Sequence, residues 1–279
     1  MTNAKDSSHL TSRTFQELGI RFIILGVWRE KNRLAQFNGD LVDRVIEVPV
    51  EPWIEEDFIR VAEKGEAELN IRLNQDLVKQ CAVSSFSSIG VFQELLREVC
   101  ISAEARQRQE YVVEVSGRQH FDHAAEQKAG DYSTRHQRAL EAIAAGNPRA
   151  SGPRRGVLPL FLPYYLVRVI LESGYAGLEN GMRRTTIHEK IQSIHHRPND
   201  VRGSDMSNLL YSLAALQAEK DISPPIVDYD RSTKMLQVVD STFYFFLKNA
   251  DLQAILEELQ NPIEDVTETS DLGASEATG

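Results

Sequence analysis

Residues 186–239 read TIHEKIQSIHHRPNDVRGSDMSNLLYSLAALQAEKDISPPIVDYDRSTKMLQVV. Ile187, Ile191 and Ile194 recur at helical spacing, which predicts a helix over 186–194 with one apolar face. Met206, Leu209, Leu210, Leu213 and Leu216 form a longer stripe, so 204–217 is a second predicted helix with Ser204 as its candidate N-cap. The period then changes. Residues 226–229 and 235–239 are predicted strands, joined by Asp230-Arg231-Ser232-Thr233 as a hairpin loop. Upstream, 162–171 reads as a helix ended by Gly174. Downstream, 243–259 reads as a helix halted by Pro262, with Phe243-Tyr244-Phe245-Phe246 turned to the core.

Three helices followed by a hairpin, at these lengths, is the layout of a winged helix–turn–helix. Residues 183–202 hold Arg183, Arg184, Lys190, Arg197 and Arg202 against Glu189 and Asp200, with Arg231 and Lys234 at the wing. Such a set suits contacts to nucleic-acid phosphates. The helix at 204–217 turns a different face outward: Ser207, Asn208, Tyr211 and Ser212 supply few groups to read guanine edges. Winged helices also dock on proteins, so DNA contact and protein docking both stand as expectations.

The whole chain has 279 residues, 42% hydrophobic and 26% charged, with a net charge of −10. That length predicts more than one domain, and the balance excludes a wholly disordered chain or a fibre. About half the excess charge lies in 264–279, where Glu264, Asp265, Glu268, Asp271 and Glu276 face no base. The remainder leaves room for a local basic face. No apolar run approaches the ~20 residues of a membrane span, so no membrane contact is expected. Cys81 and Cys100 are too few for a disulfide framework or a cysteine zinc site, which points to a reducing cytoplasm. His120 and His123 could share a helix face, but two histidines do not make a metal site and none is expected. There is no Gly-x-Ser-x-Gly string. The run 132–140, YSTRHQRAL, is amphipathic and basic and is expected to pack under the lid or the winged helix, with a partner-binding face as the alternative.

Before residue 162 the pattern is mixed. RFIILGVW, 21–28, reads as a strand buried on both faces, and VIEVPV, 45–50, as a shorter one. A helix is expected from the acids Glu55, Glu56 and Asp57 to Gly65, a second from Asn74 to Val83, and a third from Val91 to Cys100 after Ser87-Ser88-Ile89-Gly90. Residues 104–118 are polar with an extended patch at 111–115. Residues 120–145 read helical to Gly146, and 147–156 (NPRASGPRRG) as a basic linker.

The segment RFIILGVWREKNRLAQFNGDLVDRVIEVPVEPW, 21–53, resembles the later half of an AAA+ P-loop ATPase core, from the sensor-1 strand into the helical lid. The nearest group is the origin-recognition-like and transposition-regulator-like ATPases of prokaryotes, which end in a winged helix. Core end, three-helix lid and winged helix, in that order, cover most of 14–262. The resemblance implies a sensor-1 role for Asn32, with Arg29 and Lys31 as near alternatives, and an arginine finger at Arg44. A plain alternative pairs Arg44 with Asp40 or Asp43. Gly90 and Gln93 fall where the lid would approach nucleotide, and Gln93 is neutral where many lids carry an arginine.

A P-loop needs G-x-x-x-x-G-K followed by Ser or Thr, because backbone N–H groups and a lysine cradle the phosphates. The chain has no such string, nor an apolar strand ending in two acids for Mg²⁺. No cofactor is therefore expected to bind autonomously; ATP and Mg²⁺ are expected only if a missing core half is supplied. The expectation is a truncated ATPase, or one completed by a protein partner or by self-association through the strand at 21–28, whose exposed edges would aggregate.

The resulting fold class is mainly α with small β. It comprises a remnant of an α/β P-loop core (1–54), a three-helix lid (55–103), a helical and basic linker (104–156), a winged helix (157–263) and a disordered acidic tail (264–279). The competing expectation is a DNA- or protein-binding adaptor with no nucleotide role.

Overall fold

Three acids open the first helix, α1 (Glu55–Leu69), where their charge complements the helix dipole. Asp57 also turns back to accept the backbone N–H of Ile54. The computed structural model describes residue 48, residues 53–146 and residues 158–263. The strand at 21–28, all of the strand at 45–50 except Val48, the linker 147–156 and the tail 264–279 lie outside the described residues. So do Asn32 and Arg44.

The expected stop of α1 at Gly65 is corrected. The helix continues to Leu69 and ends at Asn70, whose backbone is left-handed with φ 55°. A single glycine inside a helix costs about 1 kcal/mol, which packing overrides. Asn tolerates the left-handed conformation, and its amide donates to the Gln109 carbonyl at 3.0 Å. The next residues, β1 (Ile71–Leu73), pair in parallel with β2 (Val113–Val115). Only the second of these strands has an extended signature in the sequence. Asn74 caps α2 (Gln75–Ser84) by accepting from the N–H groups of Asp76 and Leu77. Ser88 caps α3 (Ile89–Ser102), so Gly90 lies in its first turn rather than breaking it.

The segment between α3 and the C-terminal half holds α4 (Arg118–Ala145), 28 residues and about 42 Å long. This helix is a spine. Phe121 and Ala124 at one end join the core of α1–α3, with Phe58, Leu77, Cys81, Phe92, Leu95 and Val99. Ala139, Leu140 and Ile143 at the other end join the second core. Lys128, buried, ties the middle of α4 to α3 through Glu94 at 3.1 Å and to its own Asp131 at 2.7 Å.

The second core belongs to the C-terminal half. Helix α5 (Leu162–Leu178) breaks at Gly174 (φ 57°, ψ −162°), so the expected terminus is a kink followed by one more turn. Gly181 then adopts φ 76°, with the Leu236 carbonyl oxygen 3.0 Å from where a Cβ would stand. That turn sends the chain into β3 (Met182–Arg183), a strand with no signature in the sequence. Helix α6 (Arg184–Ile194), a 3₁₀ turn (Pro198–Asp200) and α7 (Gly203–Glu219) follow. Strands β4 (Val227–Asp230) and β5 (Met235–Val238) form a hairpin, and β3 adds to its outer side in the order β3-β5-β4, all antiparallel. The stripe Met206, Leu209, Leu210, Leu213 and Leu216 is buried as its spacing predicts.

Two expectations change here. Arg202, not Ser204, is the N-cap of α7, because Asp205 at the third helical position accepts the Arg202 N–H at 2.9 Å. The single helix expected over 243–259 is two: α8 (Ser241–Asn249) and α9 (Leu252–Glu258), separated by an extended Ala250. Asp251 supplies the new cap, accepting from the Ala254 N–H. The described residues are mainly helical with two small sheets.

Candidate nucleic-acid interface

The antiparallel register brings two separate stretches of cationic sequence together beside α7. Arg183 pairs with Met235, and the Arg184 N–H donates to the Lys234 carbonyl at 3.1 Å. The start of α6 therefore sits beside the β4–β5 turn. From there the Arg184 guanidinium reaches across to α7 and donates to Ser207 Oγ. Arg231, on the turn, lies 4.5 Å from the centre of the Tyr211 ring and donates to the Tyr211 carbonyl at 3.4 Å. Tyr211 is 45% exposed, so this stack forms a flat surface on the helix rather than a buried core contact.

The turn itself is held by Asp230. Burial acts to raise its carboxyl pKa, but hydrogen bonds from the side chains and N–H groups of Ser232 and Thr233 outweigh it and hold the group at about 2. Asp230 is therefore ionised at neutral pH and leaves one negative charge beside the cations of this turn. Lys234 closes the turn with a left-handed backbone, φ 58°.

The sequence-predicted cations separate into three kinds. Arg183, Lys190, Arg202 and Lys234 are exposed and make no ion pair among the described residues. Arg184 and Arg231 are in the same place but anchored to α7. Arg197 is engaged elsewhere: its guanidinium lies 2.6 Å from Asp200 and donates to the Leu158 carbonyl. The β3 strand and the Arg231–Tyr211 stack have no signal in hydropathy spacing. Gly181 is the one mark that a turn precedes β3.

The neighbouring histidines serve structure. His188 Nε2–H donates to the Val201 carbonyl at 2.9 Å, holding the α6–α7 turn. His195 donates from Nε2 to the Leu160 carbonyl at 2.7 Å and accepts the Arg197 N–H at Nδ1. His196 stacks on it, and Tyr165 packs against both. Burial lowers the pKa of both His195 and His196.

Gly90 and Gln93 lie in the other half. Gln93 is exposed at the rim of a groove of about 590 Å³ between α1 and α3, beside Leu69, Leu96, Arg97 and Arg106. Gly90 does not line it. His120 pairs with Ser102 at 2.9 Å, whereas His123 is exposed. No group of three His, Cys, Asp or Glu side chains able to hold a metal occurs among the described residues. Cys81 and Cys100 are buried thiols, and burial together with the nearby Cys100 pushes Cys81 up to about 12, which makes it a poor nucleophile. No helix among the described residues is long and apolar enough to cross a membrane. No protein-family model, curated protein or solved structure matches the chain.

Proposed function

We propose that the C-terminal half is a winged helix that binds duplex DNA, carried by a helical lid of AAA+ type. The order α5, β3, α6, α7, β4, β5 with sheet order β3-β5-β4 supports the winged-helix reading. The single observation behind the DNA reading is the convergence of Arg183, Arg184, Arg231 and Lys234 at the junction of α6, α7 and the wing. On this reading α1–α3, packed on α4, form the lid, with Gly90 and Gln93 near nucleotide. Arg44 and Asn32 would act as arginine finger and sensor on an ATP that a protein partner's P-loop supplies.

Fluorescence anisotropy of the full chain with a labelled duplex tests this. Binding at low salt that the double variant R183E/K234E abolishes is the expected result. No binding of any duplex overturns it. ATP-dependent association with a P-loop partner tests the nucleotide part separately. The outer face of α7, which carries no Arg or Lys, favours a second reading, a winged-helix adaptor docked on protein. Under that reading binding shows no steep salt dependence.

A further inference from the structure

This inference rests on the DNA reading and concerns what the face reads. Sequence is read from base edges, mostly by Arg, Lys, Asn or Gln aimed into the major groove, whereas phosphate contacts carry none of it. The outer face of α7 carries Ser204, Asn208, Tyr211, Ser212 and several alanines, with Glu219 exposed at its C-terminal end. Among these only Asn208 has a side chain of the bidentate kind. The arginines that could reach base edges are held back. Arg184 is bonded to Ser207, and Arg231 lies flat on Tyr211 with a hydrogen bond to its carbonyl. Arg197 is spent on Asp200 and Leu158. The cations left free of ion pairs among the described residues surround α7 instead of lining it. Arg202 is at its N-cap, Arg183 at the start of α6, Lys190 on the outer side of α6 and Lys234 on the wing. A helix whose exposed middle is uncharged, with Asp205 and Glu219 at its two ends and four exposed cations beside it, suits contact with the phosphates that border a groove.

We propose that this face holds duplex DNA by its phosphates alone, without selecting a sequence, through Arg183, Lys190, Arg202 and Lys234. Four phosphate contacts give a slope of log K against log salt of about −3.6 on B-DNA. The experiment measures anisotropy of the full chain on several duplexes of unrelated sequence, across a range of monovalent salt. The expected result is affinities equal within about threefold across duplexes and a slope between about −3 and −4. Arg183→Ala, Lys190→Ala and Arg202→Ala each weaken all duplexes by a common factor and reduce the slope by about one. Lys234→Asn does the same and keeps a residue that accepts the left-handed backbone. Asn208→Ala changes nothing. A preference above about tenfold for one sequence, or a preference lost in Asn208→Ala, overturns the proposal and leaves DNA binding standing. Absence of binding to every duplex at about 50 mM salt overturns the DNA reading itself.

Discussion

His136 lies wholly inside the molecule on α4, and its chemistry is set by what surrounds it. Its Nε2–H donates to Thr242 Oγ1 at 2.9 Å, and the Thr242 hydroxyl donates to Asp240 at 2.7 Å. Phe243 and Phe246 flank the ring. Burial pushes the imidazole down to about 4, against Asp240, which favours the proton, and with Arg135, which opposes it. The folded state therefore keeps His136 neutral while the unfolded chain, near 6.5, takes a proton first. The resulting stability is complete above pH 6.5 and is lost as pH falls to 4, by about 3 kcal/mol if His136 alone is counted. Urea unfolding measured from pH 7 to 4 should show that decline, and His136→Asn should flatten it. Arg197 offers a contrast at the same scale. With its guanidinium bonded to Asp200 and the Leu158 carbonyl, Arg197→Ala should cost about 1 kcal/mol of stability yet leave the salt slope of the proposed DNA binding unchanged. A slope that drops by one would place Arg197 on the DNA instead.

Among the elements, β3 has the largest consequence for its size. Two residues long, it follows a turn at Gly181, where φ is 76° and a Cβ would stand a tight 3.0 Å from Leu236 O. Gly181→Ala should destabilise the chain by about 1–3 kcal/mol and weaken duplex binding as β3 and Arg183 shift; an unchanged affinity and melting temperature would show that the turn is not required. The two-helix outcome at the C-terminus has a similar local cause. The sequence KNADLQ places Asp251 where a new helix can be capped, and the cap competes with continuation of α8. The β1–β2 pair shows the opposite limit. IRL at 71–73 is too short to show a period, and its partner lies 42 residues later.

For the whole molecule, the central question is how two cores behave as one. They share α4, and they meet where the α2–α3 loop touches α5 and α8. Phe86 sits there against Tyr175 at 5.2 Å and Tyr244 at 5.8 Å, with Lys248 over its ring. Phe245, fully buried on α8, belongs to the core of α1–α3 rather than to that of its own half. Arg135 and Asp240, 2.9 Å apart, fasten the same joint. Phe245→Ala should cost about 3–5 kcal/mol, and the loss should fall on the joint. Calorimetry on the full chain should then resolve separate transitions where the parent unfolds both cores together. Two transitions already present in the parent would mean that the halves are thermodynamically independent.

Periodicity and caps made most of the C-terminal half legible. The stripe of α7, the hairpin (its turn at 231–234, one residue later than the expected 230–233), and the cationic residues around them are all local patterns, and local physics fixes them. The aromatic run 243–246 was also legible as core, though not as core of the other half. Tertiary structure decided what depends on partners distant in the chain: the parallel pairing of β1 with β2, the third strand, and the role of α4 as a spine. It also decided which arginines are free. Arg197 and Lys190 look alike in a sequence, because charge is a property of the residue. Availability is not, since whether a carboxylate, a carbonyl or a ring already holds the guanidinium depends on where the fold brings those groups.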